Sequence, residues 1–289
     1  MEAHFAAAQV TIVGLGLMGG SLAAALSAAR ACRKVVGVAR RPVTLETARM
    51  LRLIDEGTED LAAGVSQADV VVLATPVRDI LEKLETIGPL LKPGAVLMDV
   101  GSTKAAICAA MARLPEHVQP VGGHPMCGKE TSGLTMAEPD LYKGRVFVLA
   151  PLERTRPEAL ATAQEMVVAV GARPLVLDAQ CHDRMVAAIS HLPYLLAVTL
   201  VAAADALAAD DPLTWSLAAG GFRDTSRVAA GSIPMMLDIL ATNRAPILET
   251  LYAARQQLDE IIALLEDDQL ASLRPLLESA RHRRMEVFP

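Results

Sequence analysis

Apolar positions along this chain fall into two rhythms. From residue 10 to residue 177, short runs rich in Val, Ile and Leu recur at 10–13, 35–38, 70–74, 95–100, 119–121, 146–149 and 174–177. Runs that are apolar throughout suit strands covered on both faces, as in a parallel sheet. The stretches between them, 19–29, 43–53, 78–91, 104–114 and 157–170, space their apolar residues for helices. The alternation predicts βαβ units of a doubly wound sheet, whose ligands collect at the strand C-termini.

After Cys181 the strand signals stop, and helices are predicted at 183–190, 194–209, 212–219, 233–240 and 246–266, with a last one near 270–284. The expected fold is therefore α/β: a dinucleotide-binding domain over 1–179, then an all-helical substrate and dimerisation domain over 180–289. With 289 residues, 52% of them hydrophobic, the chain has the length of about two domains. Leu195 to Val201 is apolar on too many faces for a solitary amphipathic helix, which predicts a homodimer burying these helices together. The apolar stretch 192–204 contains Pro193 and is shorter than the ~18 residues of a membrane span. It is read as a buried helix, and no membrane partner is expected.

Charge narrows the partners. The net charge is -6, with 18 basic against 19 acidic residues up to Ala179 and 9 against 14 beyond it, so the acidity is mostly C-terminal. No basic stripe longer than Arg281 to Arg284 is present, and nucleic acid is not expected. Cys32, Cys108, Cys127 and Cys181 form no CxxC pair, which suits reduced thiols in a cytoplasmic protein and suggests no metal site. The N-terminus carries no positive charge before its short apolar run, so a secretory signal is not expected.

The chemistry begins with Gly14-Leu-Gly-Leu-Met-Gly19, set directly after one predicted strand and before a helix. In that context GxGxxG is a dinucleotide fingerprint. Gly14 allows the tight turn, Gly16 lets backbone approach a pyrophosphate, and Gly19 allows close packing, with Leu17 and Met18 opening the helix. At the end of the second strand a carboxylate usually holds the adenosine ribose, but here the chain reads Val38-Ala-Arg-Arg41. Arg40 or Arg41 suits a 2′-phosphate instead, favouring NADP over NAD.

Three further strand ends, Ala74-Thr75-Pro76, Asp99 to Lys104 and Gly122 to Gly128, meet at the same sheet edge. Ser102 and His124 can converge there beside a nicotinamide. The imidazole would take a hydroxyl proton as hydride leaves the same carbon, and the serine would orient it. His191 precedes Pro193, where a break in the helix would turn side chains into a cavity. Arg223 and Arg227, four apart, share a helical face; one is expected to bind a substrate carboxylate while the other pairs with Asp224 or another acid, and spacing does not say which.

The motifs Gly14 to Ser21, Asp99 to Lys104, Gly123-His-Pro-Met126, Ser190-His-Leu-Pro193 and Gly221 to Arg227, in this order, resemble the prephenate/arogenate dehydrogenase family of tyrosine biosynthesis. The resemblance implies NAD(P)-dependent oxidative decarboxylation of a cyclohexadienol, prephenate or arogenate. It also implies roles: His124 deprotonates the ring hydroxyl, Ser102 positions His124, His191 helps anchor substrate, and Arg227 holds a carboxylate. Glu130 lies where prephenate-preferring relatives often carry an acid, and Cys127 where many have Ala. Two rivals remain open on these residues, a β-hydroxyacid dehydrogenase and a non-catalytic NADP-binding dimer acting as a sensor. The first would use a lysine from the helical domain, and this chain has none after Lys143.

Overall fold

The computed structural model describes residues 4–129 and 131–288, and among these eight strands form one sheet. They are β1 (Gln9–Val13), β2 (Lys34–Val38), β3 (Glu56–Thr58), β4 (Val70–Leu73), β5 (Val96–Asp99), β6 (Gln119–Pro125), β7 (Val146–Pro151) and β8 (Arg173–Val176). Their spatial order is β3-β2-β1-β4-β5-β6-β7-β8. The chain thus winds outward from β1 in one direction and resumes from β4 in the other, leaving a crevice at the β1/β4 junction.

Alternation along the strands divides the core between two faces. Val70, Val72, Val96 and Met98 pack on one side with Leu22 and Leu26 of α1 (Leu17–Ala29), while Val71, Leu73 and Leu97 pack on the other. The second side is roofed by Ile80, Leu84 and Ile87 of α4 (Val77–Ile87) and by Ile107 and Met111 of α5 (Ala105–Met111). Between them in sequence, α2 (Pro42–Met50) and α3 (Leu61–Val65) flank the short β3, which the sequence reading missed. Its three residues, Glu56, Gly57 and Thr58, carry no apolar run, and tertiary pairing with β2 makes them a strand.

The sheet is not wholly parallel as expected. β7 runs antiparallel to β6, with His124 opposite Val148, and then pairs in parallel with β8. This pairing also lengthens β6 to Pro125, so His124 lies within a strand and not in the turn predicted after residue 121. Two glycines let neighbouring groups close in there. A Cβ on Gly122 would stand 2.7 Å from the Cys108 sulfur, and one on Gly123 would stand 2.3 Å from the Asp99 carbonyl oxygen.

Helix α6 (Pro157–Ala169) completes the first face, and beyond β8 the chain is helical. Here the structure corrects the expected break. α7 (Ala179–Val186), a π-turn over Ala187–His191 and α8 (Leu192–Asp210) form one continuous 32-residue helix. Pro193 sits in the first turn of α8, and the wider π-turn absorbs the amide hydrogen it lacks. By length and composition the 32 residues suffice to cross a membrane, but the start of this helix is packed into the sheet edge through buried His182 and Asp183. The reading of 192–204 as buried also fails within one chain: of α8, only Ala197 and Ala208 are buried.

Helices α9 (Gly220–Ser226) and α10 (Ile233–Thr242) follow. α10 docks against the start of α4 and the loop between β5 and α5. Its Asp238 accepts from the Arg78 backbone N–H at 3.2 Å and pairs with the Arg78 side chain, while Thr242 and Thr103 share a 2.8 Å hydroxyl hydrogen bond. Because α7 to α10 pack in this way, the chain divides by compactness into Met1–Arg244 and Ala245–Pro289. The second unit holds most of α11 (Arg244–Glu266) and α12 (Leu270–Val287), which leave Leu258, Ile262, Leu265, Leu270 and Leu277 more than half exposed.

Candidate active site

The glycine-rich turn links β1 to α1 at the crevice. Gly14 has φ +99, and a Cβ there would meet Thr75 Cγ2 at 2.6 Å and the Ala74 carbonyl oxygen at 2.7 Å. On Gly19 a Cβ would lie 1.9 Å from the Gly14 oxygen, so strand, turn and helix are as close as backbone permits. Gly16 differs, since its missing side chain would meet nothing within 4 Å. The turn is therefore tight on its protein side and open at Gly16, which caps α1 without a side-chain hydrogen bond. That cradle fits a dinucleotide pyrophosphate, which the first-turn amides of Leu17 and Met18 would hold. Thr75 and Pro76 follow β4 next to this turn, and Arg40 and Arg41 stand exposed just past β2.

Further along the same edge, β5 ends in Asp99 and the loop to α5 carries Ser102 and Lys104. Asp99 and Lys104 are both fully buried and form an ion pair. The remaining capacity of the carboxylate is used by the Gly101 N–H at 2.7 Å and the Gly123 N–H at 2.9 Å. A buried charge pair persists only when its lone pairs are taken up in this way. Through Gly123 it fixes the backbone next to His124.

His124 is partly exposed, and its Nδ1 lies 2.8 Å from Nε2 of His182, with the two rings edge to face. His182 Nδ1 in turn lies 2.8 Å from Asp183 Oδ1. The Asp183 carboxylate also accepts the backbone N–H groups of Lys104 at 2.7 Å and Ala105 at 2.9 Å, the first amides of α5. The Nδ1 hydrogen bond of His124 thus goes to His182, while Ser102 stands half-buried after β5. Burial, with repulsion from His182 when it is protonated, from Lys104 and from His191 when it is protonated, holds the His124 imidazole well below its ordinary pKa of 6.5. It is consequently uncharged near neutrality and able to accept a proton.

His191 is almost fully buried at the end of the π-turn, and Asn243 Nδ2 donates to the Asp183 carbonyl oxygen at 2.8 Å and lies 3.2 Å from His191 Nδ1. Burial pushes the His191 imidazole down to about 4. Arg223 is exposed and pairs with Asp224 at 3.3 Å, and Arg227 begins the 3-10 turn after α9. Glu130 lies outside the described residues. Cys127 is half-buried, and burial pushes its thiol up to about 11. Sequence reasoning missed His182, Asp183 and Asn243. The one available signal was His182-Asp183 at the predicted start of a helix, and it was absorbed into that helix. Among the described residues, no group of three or more His, Cys, Asp or Glu is placed to hold a metal.

A family model described as "Prephenate dehydrogenase, nucleotide-binding domain" matches residues 22–176, and one described as "Prephenate dehydrogenase, dimerization domain" matches residues 178–279. The prephenate dehydrogenase of Lactococcus lactis is 34% identical over 256 residues, 88% of this chain and 70% of that protein. The arogenate dehydrogenase of Synechocystis superposes with a TM-score of 0.84 at 34% identity, covering 96% of this chain and 99% of that one. The prephenate dehydrogenase of A. aeolicus, solved with hydroxyphenyl propionate and NAD+, gives 0.90 at 28% identity, with 98% and 99% covered. With two domain models matched end to end and relatives alike over nearly its whole length, the chain belongs to the prephenate dehydrogenase family.

Proposed function

We propose that this enzyme oxidatively decarboxylates prephenate, arogenate or both, with NADP preferred over NAD and His124 as the base. The observation that carries the reading is the His124 imidazole, partly exposed and hydrogen-bonded to His182, at the sheet edge that also bears the dinucleotide cradle. Support for the substrate class comes from the A. aeolicus relative, solved with a hydroxyphenyl acid and NAD+. When bound, the nicotinamide accepts the hydride from the hydroxyl-bearing ring carbon. His124 Nε2 takes the hydroxyl proton as that carbon–hydrogen bond breaks. The ring carboxylate leaves as CO2, its bonding pair enters the ring, and the proton held on Nε2 returns to the phenolate oxygen of the aromatic product.

In this reading Ser102 flanks the base, His191 helps shape the substrate pocket, and Glu130 bears on the substrate side chain. Arg227 holds a substrate carboxylate, the role that the family resemblance gives it, while exposed Arg223 pairs with Asp224. Arg40 and Arg41, with no carboxylate at the end of β2, support NADP. We take residues 1–179 as the dinucleotide-binding domain and 180–289 as the substrate domain. The poorly covered apolar surfaces of α8, α11 and α12, within the region matching a dimerization domain, support a homodimer. Four free cysteines suit a cytoplasmic site of action.

Initial rates with prephenate and arogenate, each with NAD and NADP, test the assignment. His124→Asn should lower kcat by about 10²–10⁴-fold with little change in KM. Arg227→Ala should mainly raise KM. Absence of turnover in all four combinations, or full kcat in His124→Asn, refutes the proposal.

A further inference from the structure

The line from His124 through His182 to Asp183 does more than fill space. Hydrogen bonds have direction, and here one end of the chain is fixed. The Asp183 carboxylate already accepts the Lys104 and Ala105 amides, and an ionised carboxylate has no hydrogen to give. The 2.8 Å contact to His182 Nδ1 must therefore be donated by the histidine. In the neutral form of the pair, His182 has its lone pair on Nε2, and the 2.8 Å contact is donated by His124 Nδ1. The lone pair of His124 is left on Nε2.

We propose that His182 and Asp183 are positioning residues that lock His124 in the Nδ1–H tautomer, so that Nε2 is the atom that takes the substrate hydroxyl proton. The inference rests on His124 acting as the base. When Nε2 gains the proton, the resulting imidazolium keeps its Nδ1–H aimed at the His182 lone pair, and the carboxylate behind His182 favours that positive charge. An unsupported histidine would have to select the less common neutral tautomer unaided and hold the ring still. The first turn of α5 anchors the whole line, because the same carboxylate satisfies two of its otherwise unpaired amides. The arginine-rich cleft of Arg30, Arg33, Arg49 and Arg52 has all four side chains exposed, and Arg30 and Arg52 follow the C-terminal ends of α1 and α2, where the helix field repels anions.

The test reads the tautomer itself. Long-range proton–nitrogen correlation spectra of the full-length protein labelled at histidine nitrogen identify His124 as the signal absent from His124→Asn. The expected result is Nδ1–H in the wild type and a shift toward Nε2–H in His182→Leu, which removes the acceptor at similar volume. In kinetics, His182→Leu should lose about tenfold to a hundredfold in kcat, the effect of a charge-assisted hydrogen bond, with KM within about threefold. His182→Gln, whose amide oxygen can accept from His124 Nδ1, should restore a large part of that loss, which a merely structural role would not produce. Wild-type His124 in the Nε2–H form, undiminished kcat in a folded His182→Leu, or no rescue by a folded His182→Gln overturns the proposal. Full kcat in His124→Asn would instead remove the base assignment, and the wild-type spectrum reports on the lock separately.

Discussion

Lys104→Met removes one charge from beneath the active site while keeping side-chain length and nearly its volume. The structure makes the consequence large. Lys104 and Asp99 are fully buried, so the variant leaves a carboxylate without its counter-ion and out of reach of water. Removing one partner of a buried pair costs about 3–5 kcal/mol. The Gly101 and Gly123 amides still hold Asp99, which places the expectation near the lower end, about 3 kcal/mol. The compact unit containing the pair ends at Arg244, and at ~2.1 cal/mol/K per residue its unfolding entropy is about 0.5 kcal/mol/K, so Tm should fall by about 6 °C. Because Lys104 is among the groups holding the His124 pKa down, the acid limb of kcat/KM should also move to higher pH. Thermal unfolding followed by circular dichroism checks the first effect, and a pH–rate profile checks the second. Adding Asp99→Asn should recover part of the stability, since the uncompensated charge is then gone. A single variant melting within about 2 °C of wild type would refute the argument that the pair is buried and mutually dependent.

Burial of His191 has its own consequence for pH. Its folded pKa, about 4, lies below the ordinary 6.5, so its contribution to stability is fully present above pH 6.5 and is lost as pH falls through about 4. Denaturant unfolding should show a stability loss approaching about 1.4 kcal/mol per pH unit in that window, absent in a folded His191→Gln; a flat profile would contradict it. Arg40→Ala should erode NADP preference over NAD by about tenfold to a hundredfold, and an unchanged ratio of kcat/KM values would remove Arg40 from phosphate recognition. Sedimentation should find a dimer at micromolar concentration, and a stable monomer would leave the exposed leucines of α11 and α12 without an explanation.

The winding of the sheet was legible because its strands are buried on both faces and so read as unbroken apolar runs. The antiparallel β7 was not legible from the same evidence. Val146 to Leu149 looks alike in either direction, and what sets the direction is the path of the loop from β6. The GxGxxG turn announced itself because glycine is required where Gly14 has positive φ and where Gly19 touches the Gly14 carbonyl. His124 was read as a turn residue and lies in β6 opposite Val148, yet its position beyond the end of β5 keeps it at the sheet edge where the sequence set it. His182 and Asp183 were missed because helical periodicity accounts for them fully, and their contacts to β6 and α5 span 58 and 79 residues.

Asp183 joins two tasks that sequence motifs present as separate. Its carboxylate satisfies the first amides of α5, which hold α7 against the sheet, and through His182 it sets the direction of the hydrogen bond at His124. Packing and base orientation therefore share one group. A displacement of α7 by little more than 1 Å would stretch the 2.7–2.9 Å contacts of Asp183 beyond useful hydrogen-bond length, releasing the helix terminus and the tautomer together. Asn243 works against such a displacement, since it donates to the Asp183 carbonyl from the end of α10 while Thr242 next to it holds Thr103 in the loop before α5. The base proposed here is thus ready only when α7 and α10 are seated on the sheet edge, and His124 depends on a carboxylate in the region matching the dimerization domain.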